Sequence, residues 1–154
     1  MRHTDKKPVL QRICVIDGQG GGIGSAVIKK LKDVFGEAVE IIALGTNAIA
    51  TAQMLKAKAN RGASGENAIV QTTGKVDIII GTIGIIVANS MMGEVTPKMA
   101  EAVANSPAKK MLIPLTQENI EIIGLPPAPL PHLIEALLKE NLKNFYDEVK
   151  TDKL

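Results

Sequence analysis

Aromatic side chains are almost missing from this chain of 154 residues: two Phe, one Tyr and no Trp. Proteins that hold single-stranded nucleic acid stack bases on such rings, so that class is excluded. An excess of one charge is missing too. Lys and Arg total 18 against 16 Asp and Glu, a formal net charge of +2, which leaves no basic face to track a phosphate backbone. No nucleic-acid partner is therefore expected. Cysteine occurs once, as Cys14 within an apolar run. It reads as a small core residue, no internal disulfide forms, and a reducing, cytoplasmic setting is expected. His3 and His132 stand alone, without a second His or Cys nearby, so no metal site is expected. Long hydrophobic runs are lacking as well. The stretch from Ile78 to Ala88 contains Gly81, Thr82 and Gly84 and falls well short of the ~20 residues that cross a bilayer. Met1 to Lys7 is polar and basic, unlike a signal peptide. No membrane partner is expected.

What remains is glycine, alanine and aliphatic residues in alternating blocks. Ile13-Cys14-Val15-Ile16 is the continuous apolar run of a strand buried on both faces. After a glycine cluster, Ile23, Ala26, Val27, Leu31 and Val34 fall at helical spacing, and Gly36 is placed to end that helix. Val39 to Leu44 predicts a second strand, and Thr46-Asn47 a cap for an Ala-rich helix over 48–59. Arg61-Gly62-Ala63 reads as a break, with Ser64 capping a short helix over 65–73. Val76 to Ile80 predicts the third strand, and Thr96-Pro97 starts a helix reaching Ala104. Lys110 to Leu115 and Asn119 to Leu125 are expected to be two further strands. A proline connector, 126–131, then delivers a final amphipathic helix whose stripe is Leu130, Leu133, Ile134, Leu137, Leu138, Leu142 and Phe145. Behind a polar tail, 1–8, the chain is expected to form a single α/β domain: a Rossmann-like three-layer fold with a mostly parallel sheet of about five strands. The final helix covers that sheet or meets a second copy of the chain in a homo-oligomer.

The loop Asp17-Gly18-Gln19-Gly20-Gly21-Gly22-Ile23-Gly24 sits where the first turn of a nucleotide-binding fold cradles phosphate. Glycines let backbone approach an anion, and the following helix offers free N–H groups and partial positive charge. G-x-G-x-x-G fails here, since its last glycine would fall on Ile23 or Ser25. A P-loop fails too, because no Lys-Ser or Lys-Thr closes the run. The spacing that fits is G-x-x-x-G-x-G through Gly18, Gly22 and Gly24. That spacing resembles the cofactor loop of the short-chain dehydrogenases, T-G-x-x-x-G-I-G, with Asp17 in place of threonine. The resemblance implies NAD(P) or another nucleotide. The rest of the pattern is thin: the end of the second strand carries Gly45-Thr46-Asn47 in place of a ribose-binding carboxylate. Gly84 alone matches the later Asn-Asn-Ala-Gly, and Tyr146 to Lys150 lies at the end of the chain without a partner serine.

Other polar clusters follow strands or open helices. Thr46 and Asn47 form one. Asn60 to Asn67 forms another, in which Arg61 suits phosphate and Glu66 and Asn67 suit ribose or base, unless they only cap and solvate. Asn89, Ser90 and Glu94 form a third. Asp17 is placed to hold a magnesium ion or a ribose hydroxyl, or to bond the loop's own N–H groups. Met91-Met92 reads as core filler. The order of segments is also similar to that of the tubulin-like GTPases, through Thr46-Asn47, Ala59-Asn60-Arg61-Gly62 and Gly81-Thr82-Ile83-Gly84. Their Gly-Gly-Gly-Thr-Gly-Thr-Gly signature is absent, so this implies a nucleotide in the same cleft and not GTP hydrolysis. Over nearly its whole length the chain resembles a family of short bacterial Rossmann-like proteins of unknown function. That resemblance rests on Val15 to Gly24, Ala43 to Ala48, Asn60 to Ala68 and Gly84 to Ser90. The binding residues expected are therefore Asp17, Gly18, Gln19, Gly20, Gly21, Gly22, Ile23, Gly24, Thr46, Asn47, Arg61, Asn67 and Gly84. No catalytic residue is assigned. The function read is nucleotide binding, with alternatives in a small enzyme using Asp17 or Glu66 as acid or base, and an assembly protein without ligand.

Overall fold

A computed structural model describes residues 11–115 and 118–152; the polar tail with His3 lies outside them. Strands β1 (Gln11–Asp17), β2 (Val39–Gly45), β3 (Arg61–Ser64), β4 (Ile78–Thr82) and β5 (Lys109–Ile113) form one sheet in the order β3-β2-β1-β4-β5. Every pairing is parallel. Helices α1 (Gly22–Phe35), α2 (Ala48–Lys56), α3 (Glu66–Thr72) and α4 (Pro97–Asn105) carry the crossovers. The chain closes with α5 (Leu130–Ala136), a π-helical turn over Leu137–Leu142 and α6 (Lys143–Asp152).

Alternation within the strands explains the layers. Ile13, Val15, Ile41, Ala43, Ile78 and Ile80 face Val27, Ile28 and Leu31 of α1, Met54 of α2, and Ile134, Leu137 and Leu142 of the closing helix. Cys14, Ile16, Ile42, Leu44 and Ile79 face Ile69 of α3 and Met99 and Val103 of α4. Both faces are thus covered, as a parallel sheet of continuous apolar strands requires. Leu137 and Leu142 stand five residues apart yet are both buried. An α-helix would turn the second well away from the first, and the wider π turn keeps both on the sheet.

Four expectations need correction. Arg61-Gly62-Ala63 does not break the chain but forms edge strand β3 with Ser64. Asn60 docks it: its N–H donates to the Ile41 carbonyl and its Oδ1 accepts the Ile41 N–H, both at 2.8 Å. That pairing with β2 overrides the poor strand propensity of glycine. Ser64 consequently caps nothing; its hydroxyl meets Thr51 Oγ1 at 2.7 Å, and Gly65 stands at the start of α3. Asn119 to Leu125 is not a strand but bends and turns, with Ile123 91% exposed. Gly124, at φ 88°, and the prolines that follow interrupt extended pairing. Finally, Met92 is no core filler, being 94% exposed. The expected cap at Thr96 is present, accepting from the Met99 N–H at 3.2 Å with Pro97 in the first turn.

The sheet's crossover direction reverses between β1 and β4. In such folds the carboxyl ends of the strands at that point form a crevice. Register sets Asp17, Gly45 and Ser64 level with one another at that end.

Candidate functional site

β1 ends at Asp17, and the next four residues turn the chain into α1. Asp17 is 7% exposed and spends both oxygens on the loop: Oδ1 accepts the Gly18 N–H at 2.8 Å and Oδ2 the Gly24 N–H at 2.7 Å. Burial pushes its carboxyl above the ordinary aspartate range, the Gly24 and Gly18 amides oppose this, and nearby Glu94 adds to it. The Gly21 N–H closes the turn on the Gly18 carbonyl at 2.9 Å.

The glycines of this loop divide into two sets. A Cβ on Gly18 would stand 2.6 Å from Thr46 Oγ1, and one on Gly24 would stand 2.9 Å from Asp17 Cβ. Gly21, at φ 73°, would drive a Cβ to 2.8 Å from the Ala50 carbonyl oxygen. Gly21 and Gly24 are glycine because the fold leaves no room, and at Gly18 the Thr46 and Met91 side chains would have to give way. Gly20 and Gly22 are exposed, and a Cβ on either would meet nothing within 4 Å. Their amides have no acceptor among the described residues.

At the end of β2, Asn47 caps α2 by accepting the Ala50 N–H at 2.8 Å, while its Nδ2 donates to the Gln19 carbonyl at 3.0 Å. The carboxylate of Glu94 reaches the same place from the β4–α4 connection. Its Oε1 accepts from the Gln19 N–H at 2.9 Å, Thr46 Oγ1 at 2.8 Å and Asn47 Nδ2 at 2.6 Å. Burial acts to raise the Glu94 pKa, but these three donors outweigh it and hold the carboxyl below the usual glutamate range.

On the other side of the loop, between β1 and β4, lies a cleft of about 620 Å³. Asp17, Gln19 and Ile23 form one wall, Thr82 and Gly84 the floor, and Asn89, Met91 and Met92 the rim, with Leu115 and Glu118 at the far end. The rim is a compact turn in which Asn89, Met91 and Met92 take positive φ of 66°, 55° and 56°. Such conformations are uncommon outside glycine and cluster at functional sites. Ser90 Oγ, buried, holds the turn down on the Gly84 carbonyl, and Glu118 Oε1 accepts the Met91 N–H at 2.9 Å.

A family model described as Domain of unknown function (DUF3842) matches residues 12–146. The chain belongs to the DUF3842 family. Among solved structures, the DUF3842 chain is similar to one titled as a crystal structure of universal stress protein in complex with cAMP. The two are 19% identical with a TM-score of 0.41, over 68% of this chain and 96% of the other. No curated protein matches it significantly.

Of the residues that sequence reading nominates, the DUF3842 fold gathers the loop from Asp17 to Gly24 with Thr46, Asn47 and Gly84. It does not bring Arg61 there. Arg61 opens β3, three residues below the carboxyl end, and its guanidinium pairs with Glu40, Nε to Oε1 at 2.8 Å. Asn67 is exposed on the first turn of α3, beyond β3, and Glu66 Oε2 accepts from Thr96 Oγ1 at 2.6 Å. Tyr146 packs on Phe35, and Asp77, which precedes β4 at the amino end of the sheet, helps to push its phenol up to about 12 after burial. The Lys150 side chain lies outside the description. Among the described residues no cluster of His, Cys, Asp and Glu suits a metal ion, and no helix is long and apolar enough to cross a membrane. The sequence grouped Glu94 with Asn89 and Ser90. It held no signal that Glu94 would meet Thr46 across 48 positions.

Proposed function

We propose that the DUF3842 chain binds a nucleotide or dinucleotide, with phosphate on the Gly20 and Gly22 amides at the head of α1. The observation that carries this reading is the unexplained glycine character of those two positions. The fold has room for a Cβ at each, their N–H groups have no acceptor among the described residues, and both residues are exposed, next in sequence to Gln19 and Ile23 of the cleft lining. Glycine there serves close approach of something outside the chain, and the amides at the helix head that Asp17 does not take, Gly20 and Gly22, favour an anion. Gly84 and Thr82 line the side of the loop toward β4, where the rest of the ligand lies.

The test is calorimetry and thermal shift with a panel running from nucleoside monophosphates through triphosphates to NAD and NADP. At least one is expected to bind, and Gly22→Val, whose Cβ meets nothing within 4 Å, is expected to keep the melting temperature and lose the ligand. A panel in which nothing binds, or a Gly22→Val protein that binds unchanged, sinks the reading.

A further inference from the structure

We propose that the site accepts a nucleoside monophosphate and shuts out dinucleotides, because Glu94 occupies the half of the crevice that their adenosine would need. This rests on the reading of Gly20 and Gly22 as a phosphate seat. In doubly wound folds a dinucleotide lies across the carboxyl edge. Its pyrophosphate sits on the first loop, and its adenosine ribose lies between that loop and the end of the second strand. Here that gap is spanned at hydrogen-bond distance. Glu94 Oε1 stands 2.9 Å from the Gln19 nitrogen, 2.8 Å from Thr46 Oγ1 and 2.6 Å from Asn47 Nδ2. Asn47 Nδ2 also lies 3.0 Å from the Gln19 carbonyl oxygen. No sugar fits between groups already this close. The carboxylate further covers Gly18, where a Cβ would lie 3.2 Å from Glu94 Oε1.

Charge supports the same ligand class. The open cleft toward β4 is lined by Asp17 and Glu118 and by no Lys or Arg among the described residues. Asp17 already takes the Gly24 amide of the helix terminus, so the Gly20 and Gly22 amides are what remains for a ligand, enough for one phosphate group. Among the described residues, the lining offers the second and third phosphates of a di- or triphosphate no Lys or Arg. The remainder of the cleft suits a nucleoside: about 620 Å³, with Ile23, Met91 and Leu115 as apolar walls and Thr82 and Asn89 as polar groups. Thioether and aliphatic walls take the place of aromatic stacking in a chain with almost no rings.

The experiment is calorimetry of the full chain with AMP, GMP, ATP and NAD, joined to amide shift mapping of isotope-labelled protein by NMR. A monophosphate is expected to bind at least about ten-fold more tightly than ATP or NAD. Its largest shifts should fall on Gly20, Gly22, Thr82 and Gly84 rather than on Thr46 and Asn47. Glu94→Ala is expected to open the β2 side and narrow the gap between AMP and NAD. Wild-type protein that binds NAD as tightly as AMP overturns the proposal while leaving nucleotide binding intact, as do shifts centred on Thr46 and Asn47. Failure of every nucleotide to bind removes the phosphate seat itself, and the proposal with it. If Glu94→Ala does not fold, the wild-type affinity ratio and shift map still decide.

Discussion

Two glycine substitutions, Gly45→Ala and Gly22→Ala, separate glycines that the fold needs from glycines that it does not. At Gly45 a Cβ would stand 2.6 Å from the Asn47 carbonyl oxygen and 2.7 Å from the Thr51 amide nitrogen. Both are backbone atoms at the head of α2, so neither can swing aside as a side chain would. Overpacking typically costs about 1–3 kcal/mol, and rigid neighbours put this site at the upper end, near about 3 kcal/mol. For a chain of this length that corresponds to a fall of roughly 6–12 °C in Tm. At Gly22 the added methyl meets nothing within 4 Å and the backbone is outside the left-handed region. Replacing glycine there restricts the unfolded chain and is expected to stabilise by about 0.4–1 kcal/mol. Thermal melts followed by circular dichroism at one pH and protein concentration measure both. The opposite signs are the point of the pair. A Gly22→Ala protein that melts well below wild type shows that the fold does need glycine there. The inference of a ligand from that position then fails. A Gly45→Ala protein that melts with wild type refutes the packing geometry itself.

Other outcomes follow from features already described. Leu142 is fully buried against the sheet by the π turn, so Leu142→Ala should cost about 2–5 kcal/mol in urea denaturation; a loss well below that range means the closing helix is not seated as described. The Cys14 thiol, pushed up by burial in the centre of β1, should ignore a chromogenic disulfide reagent at neutral pH until the protein unfolds, and prompt reaction of native protein contradicts its placement. Glu94 and Asp17 respond to pH with opposite signs. Glu94 is held below its ordinary value of 4.5, so its contribution is full above that pH and is lost as pH falls through the folded value. Asp17 is held above its ordinary 3.8, so its contribution is full below that pH and is lost as pH rises through the folded value. The stability advantage of wild type over Glu94→Gln should therefore shrink on acidification, and an advantage that grows as pH falls contradicts the three-donor arrangement.

Much of the architecture was legible because strong periodicity and caps coincide in the sequence. Ile13 to Ile16, Val39 to Leu44 and Thr96-Pro97 each carry one unambiguous signal, and each forms the element expected. The failure at Arg61 to Ser64 has its physical origin in tertiary pairing. Nothing local marks Arg61 to Ser64 as a strand, since its glycine and polar residues acquire extended structure only by lying beside β2. Conversely, Asn119 to Leu125 carries strand-forming residues, but Gly124 at positive φ and the prolines after it keep the segment from extended pairing. The site divides in the same way. The glycine loop could be read from spacing, and Asn47 from its capping position. Arg61 was drawn away by Glu40, a residue from a different strand. Glu94 could not be placed at all, because its partners lie 75 and 48 positions away.

That separation bears on how the molecule comes into being during synthesis. β1, β2 and β3 are consecutive in the chain and adjacent in the sheet, so this half can pair while translation continues. The glycine loop belongs to that first half, yet its clasp comes from residue 94, after β4. Closing contacts over such spans is the slow part of folding a parallel sheet. A nascent chain halted before Val87 would therefore carry the glycine loop without its clasp, with Gln19, Thr46 and Asn47 lacking the carboxylate that joins them in the finished fold.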